Sequence, residues 1–111
     1  MAVPRTGSIS EELIVEAGRR LADAAGPGAR VILFGSHARG VADDGSDLDF
    51  LVVEPEVGDR HAEMLRLRQA LRPLVLPADV LVFSAREVDE WREVPNTVIN
   101  AALREGRVLH G

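Results

Sequence analysis

Phe34-Gly35-Ser36-His37-Ala38-Arg39-Gly40, followed closely by Gly45-Ser46-Asp47-Leu48-Asp49-Phe50, is the part of the chain on which the fold turns. Gly35 comes directly after an apolar run, and a residue without a Cβ lets the backbone approach a ligand closely. Ser36 and the amides after it are placed to open a helix, whose free N–H groups and dipole favour an anion such as phosphate. Arg39 can add a bidentate donor for phosphate oxygens, or it can serve in a structural ion pair. Asp47 and Asp49 are two apart in a predicted strand, so their carboxylates face one way while Leu48 and Phe50 face the other. Two carboxylates on one face repel each other unless a positive group lies between them. Mg²⁺ is the usual answer, because it takes one or two carboxylates together with phosphate oxygens. Asp79 would bring a third carboxylate if its strand lies beside that of Asp49. Three carboxylates beside a phosphate cradle are the makings of a two-metal phosphoryl-transfer site.

The chain on either side reads as alternating helices and strands. Ser8 with Glu11 fits a capping box, and Ile9, Leu13, Ala17 and Leu21 recur at helical spacing until Gly26-Pro27-Gly28 ends the helix. Residues 30–34 form a short β-branched run, a predicted buried strand. Residues 35–45 are polar, with room for a turn and a short helix. A second strand is predicted over 47–54, ended by Pro55. Asp59 caps a predicted helix to about residue 72, with Met64, Leu67, Arg68 and Leu71 along one side and Pro73 as terminator. Residues 77–83 give a third strand. Ser84 with Glu87 repeats the capping-box pattern for a helix to about residue 91. Residues 96–105 give another helix with Gly106 as its left-handed terminator, and 107–110 a closing strand. The expected fold is α/β (α+β), a small three- to four-stranded mixed sheet packed with helices. Its boundaries are a loose terminus over 1–7 and one domain over 8–111.

Composition narrows the function. A chain of 111 residues is the size of one domain. It has no cysteine, which excludes disulfides, thiolate zinc sites and cysteine nucleophiles. All 13 basic residues are arginine, so Schiff-base chemistry and a P-loop lysine are excluded as well. A net charge of −5 argues against direct nucleic-acid binding. No apolar run reaches the roughly 20 residues of a membrane span, and Met1-Ala2-Val3-Pro4-Arg5 lacks the apolar stretch of a secretory signal. A cytoplasmic chain is expected.

Each candidate also has a plain structural explanation. Gly35-Ser36 alone fits a strand-to-helix turn, Asp47 a loop acid and Asp79 a strand-edge acid. Asp49 resists this treatment, because an unpaired carboxylate within an apolar strand is costly. Asp43 and Asp44 are expected as solvated loop acids. His61 and His110 lie far apart, at no metal-ligand spacing. Trp91 is expected to pack, in the core or at a partner interface. Arg60, Arg66, Arg68 and Arg72 are expected on a solvated helix face, with an acidic partner as the alternative.

Gly35-Ser36, ten intervening residues, then Asp47-Leu48-Asp49 resembles the signature of the DNA polymerase β-like nucleotidyltransferase superfamily. The fuller string is similar to that of the minimal nucleotidyltransferases, the antitoxin partners of HEPN-domain toxins, and the likeness extends over about residues 30–110. It implies that Gly35 and Ser36 hold the phosphates of a nucleoside triphosphate, ATP being the donor. It implies that Asp47, Asp49 and Asp79 are catalytic and bind two Mg²⁺ ions, with Arg39 contacting phosphate. The slot of His37 varies in the family pattern, so that side chain is expected to face solvent. The implied reaction carries AMP to a hydroxyl, a tyrosine, of a partner HEPN toxin. With no tyrosine in the chain itself, self-transfer to tyrosine is excluded. Two alternatives stand beside it: an antitoxin that neutralises its toxin by contact, and transfer to a small-molecule hydroxyl in a pocket shared between subunits. A homo- or hetero-oligomer is compatible with either.

Overall fold

The computed structural model describes residues 9–40 and 47–111. Within them a four-stranded sheet has the order β3-β2-β1-β4. Strand β1 (Arg30–Phe34) is antiparallel to β2 (Leu48–Glu54), with Phe34 opposite Asp49 and Arg30 opposite Val53. Strand β3 (Ala78–Ser84) is parallel to β2, and β4 (Arg107–His110) is antiparallel to β1. The parallel pair requires a long crossover, which α3 (Arg60–Ala70) and a 3₁₀ turn (Arg72–Leu74) provide.

Alternation along β2 sends its side chains to two separate cores. Leu48, Phe50 and Val52 join Val31, Leu33, Val80 and Val82 under α1 (Glu11–Ala25) and α3. Leu51 and Val53 face the other way, with Ile32, against α4 (Ala85–Trp91) and α5 (Val98–Glu105). A central strand covered on both faces reads as a continuous apolar run, hence Phe50-Leu51-Val52-Val53. The short helix α2 (Ser36–Arg39) joins β1 towards β2.

Several element ends differ from expectation. The cap of α1 is Ser10, whose Oγ accepts from the Leu13 amide at 3.1 Å; Ser8 lies outside the described residues, as do 1–7. Helix α3, capped by Asp59, stops at Ala70 rather than 72, and Pro73 belongs to the 3₁₀ turn that follows. Helix α5 starts at Val98 rather than 96 because Asn96 is left-handed (φ 68°), while Thr97 supplies the cap. Gly106 is extended (φ −78°), not left-handed. It is glycine for lack of space, since a Cβ there would lie 2.2 Å from the Ala102 carbonyl and 2.6 Å from Ile32 Cγ2. The capping box at Ser84 and Glu87 is present in full.

Candidate active site

The site is built where β1 ends and β2 and β3 begin. Gly35 turns the chain out of β1 with φ 81° and ψ −158°, a region that only glycine enters freely. A Cβ on it would lie 2.4 Å from Asp49 Oδ2. Glycine is therefore required twice, by the backbone and by the carboxylate pressed against it. Helix α2 starts at the next residue with no side chain capping it. The Arg39 amide closes its first turn on the Gly35 carbonyl at 3.1 Å, and the amides that open a helix ahead of such a bond lack intrahelical acceptors.

Asp49 and Asp79 are register partners on the parallel strands β2 and β3. Neighbouring strands run about 4.8 Å apart, and register partners share a face, so both carboxylates stand side by side. Asp79 is exposed and Asp49 half-buried. Asp47 sits just ahead of β2 rather than inside it, and is exposed. The amide of Leu48, between the two aspartates, donates to the Pro77 carbonyl at 2.9 Å and locks the starts of the two strands together.

The electrostatics bind these residues into one group. The Asp49 carboxyl is held above its ordinary range, first by burial, then by the negative charges of Asp79 and Asp47. The charges of His37 and Arg39 act on it in the opposite sense. Arg39 also pairs with Glu105 at 3.4 Å, both side chains being about half exposed (49% and 41%). Such a surface pair contributes little, so Arg39 can exchange it for a stronger anion.

Asp47, Asp49 and Asp79 offer only hard carboxylate oxygens, and they meet where negative charge is already in excess. That combination fits Mg²⁺. Among the described residues no three acidic, histidine or cysteine groups close into a full ligand set as they stand. An ion here would accordingly draw on carboxylates together with phosphate oxygens and water, as Mg²⁺ commonly does in phosphoryl-transfer sites.

Gly35, Ser36, Arg39, Asp47, Asp49 and Asp79 thus all fall at one end of the sheet. Asp43, Asp44 and Ser46 lie outside the described residues. His61 and His110 are exposed and remote in the fold. His37 differs from expectation: it is only partly exposed and close enough to act on Asp49, and its place in the short helix directly after β1 and Gly35 is the signal that could have found it. Arg60 is exposed, as expected of a solvated helix face, and it is also tied down. It donates to the Val82 carbonyl, pairs with Glu87 and lies 5.1 Å from the centre of the Phe83 ring, which pins α3 to the far end of β3. Trp91 is 47% exposed and so does not belong to the core.

A nucleotidyltransferase domain family model matches residues 15–108. A solved toxin–antitoxin complex with AMP-PNP superposes with a TM-score of 0.62 at 21% identity, covering 93% of this chain and 74% of that one. The complex of a tri-AMPylated Shewanella oneidensis HEPN toxin with its MNT antitoxin gives 0.61 at 17% identity, covering 92% and 73%. A candidate nucleotidyltransferase from Sulfolobus solfataricus gives 0.56 at 28% identity, covering 71% and 70%. Among curated proteins none matches the chain. Among the described residues no helix is long and apolar enough to cross a membrane.

Proposed function

The chain belongs to the nucleotidyltransferase domain family, and from that premise we propose that it transfers AMP from ATP to a tyrosine hydroxyl of a HEPN-domain toxin, acting as its antitoxin. The observation that carries this reading is the side-by-side register of Asp49 and Asp79 next to the Gly35 turn. Two structural neighbours support the setting, one a toxin–antitoxin complex with AMP-PNP and one containing an AMPylated HEPN toxin.

In this scheme the amides opening α2, with Ser36, hold the terminal phosphates, and Gly35 lets them come close to Asp49. Arg39 leaves Glu105 for a phosphate oxygen. The acceptor oxygen attacks the α-phosphorus, the bond to the bridging oxygen breaks, and pyrophosphate leaves. Asp79, the most open of the strand carboxylates, is placed to receive the hydroxyl proton. Mg²⁺ held by Asp47, Asp49 and Asp79 would supply the positive charge that the triphosphate needs and would lower the pKa of the attacking hydroxyl. The single domain comprises residues 8–111, with 1–7 outside it.

Purified protein incubated with labelled ATP, Mg²⁺ and the HEPN-domain protein tests the proposal. Label should appear on the acceptor, disappear with a chelator and return when Mg²⁺ is restored. Label that persists in the chelator would overturn the metal assignment. An acceptor that stays unlabelled throughout would overturn the transfer.

A further inference from the structure

A cavity of about 590 Å³ opens between α3, the 3₁₀ turn and the start of β3. Its wall includes Leu65, Val75, Leu76 and Pro77, with Arg68 and Arg72 on the rim. Two of these apolar side chains are unusually open to solvent, Leu65 at 46% and Val75 at 87%. Val75 also sits at φ 51° and ψ 58°, a left-handed conformation that is costly for a β-branched residue. The chain thus holds an apolar side chain outward against its backbone preference.

The charges at this groove are unmatched. Arg60 and Arg66 on the same helix are paired with Glu87 and Glu63. Arg68 and Arg72 have no ion-pair partner among the described residues. In a chain of net charge −5, two free guanidinium groups beside an apolar trough are a local reversal of sign. The groove opens at the same end of the sheet as the candidate site, on the face covered by α3, while Asp49 and Asp79 stand on the opposite face. It is lined in part by Pro77 and Ala78, the residues just before Asp79, and the Pro77 carbonyl accepts from the Leu48 amide between Asp47 and Asp49.

We propose that this groove docks a segment of the acceptor protein in which an apolar side chain is flanked by carboxylates. The apolar side chain fills the trough over Leu65 and Val75, and the carboxylates meet Arg68 and Arg72. Docking there holds the acceptor hydroxyl at the end of the sheet that carries Asp49 and Asp79. The inference rests on transfer to a protein acceptor, and its test separates the two.

Binding of the HEPN-domain acceptor to the full chain is measured by calorimetry at low and moderate salt, alongside transfer kinetics. The double variant Arg68→Glu, Arg72→Glu should weaken binding at least about tenfold and flatten its salt dependence. It should raise KM for the acceptor, while kcat and AMP-PNP affinity stay within about twofold. Val75→Asp, at an exposed position whose backbone suits Asp better than Val, should weaken binding in the same way. Arg86→Glu, on the outer face of α4, should change neither. Binding by the double variant equal to wild type overturns the docking site even if transfer is intact, and so does failure of the acceptor to bind the wild-type chain. Loss of binding in the double variant with no transfer by wild type leaves the docking site standing and removes the proposed reaction.

Discussion

Gly35 and Asp49 show how much chemistry can depend on one missing methyl group. The Oδ2 of Asp49 occupies the space a Cβ at position 35 would need, and the backbone there has φ 81°. Gly35→Ala should therefore displace the carboxylate as well as strain the turn. A loss of about 1–3 kcal/mol in stability is expected from the backbone alone, with transfer falling much further. Denaturant unfolding and turnover, measured on the same preparation, separate the two effects. Turnover surviving in proportion to the folded fraction would contradict the close approach. Asp49→Asn removes the charge and keeps the shape. It should abolish transfer, by about 10³-fold or more if the carboxylate holds a metal, with little change in melting temperature. Little of this pairing was legible in the sequence, where the spacing put Gly35 and Asp49 in one site but gave no contact between them. His37 escaped for a related reason, because a variable slot in a pattern says nothing about proximity in space.

At the scale of elements, what was legible followed the strength of the local signal. The bounds of β1 were readable because glycines close off a run of β-branched residues on both sides. The capping box at Ser84 was readable because both of its hydrogen bonds are local. Ser10 was missed as the cap of α1 because Ser8 and Ser10 offer the same hydroxyl at the same kind of position, and only tertiary packing decides between them. Gly106 was expected to end α5 by a left-handed turn. Its real reason is crowding, by the Ala102 carbonyl one turn back in α5 and by Ile32 and the Leu33 carbonyl on β1, and the β1 part is long-range and so invisible to local pattern. Gly106→Ala tests that explanation. A methyl there would lie 2.2 Å from the Ala102 carbonyl and 2.6 Å from Ile32 Cγ2, so the exit from α5 must shift against both its own last turn and β1, and a loss of about 2 kcal/mol or more is expected by urea denaturation. A neutral substitution would contradict it.

Across the whole molecule the two ends of β2 hold acids in opposite circumstances. Asp49, at the start, stands among charges at an open site. Glu54, at the end, is 6% exposed under α3, and its Oε2 has no hydrogen-bond partner among the described residues. Burial first, then the hydrogen bond with Glu63 and its charge, push the Glu54 carboxyl up to about 7 from an ordinary 4.5, with Arg66 offsetting part of the rise. A carboxyl raised in the folded state binds a proton that the unfolded chain has already lost. This group therefore subtracts stability progressively as pH climbs from about 4.5 to about 7, and the loss is complete above that. Glu54→Gln should remove this contribution, gaining roughly 1–3 kcal/mol over wild type at pH 8 and little at pH 4. Denaturant melts of both proteins across that range check it, and a constant difference between them would contradict it. Nothing in the apolar run ending at Glu54 announced this in the sequence, since a terminal Glu reads equally well as the strand's exit to solvent.

In the proposed reading the sheet and its two helical layers present the donor site, and a HEPN-domain protein supplies the acceptor. Intact mass spectrometry of the HEPN-domain protein, co-expressed with wild-type chain and with Asp49→Asn, tests that division of labour most directly. With wild type, the acceptor should gain one or more adenylate units located on tyrosine. With Asp49→Asn it should gain none. An acceptor that is unmodified beside wild type, or equally modified beside both, would contradict it.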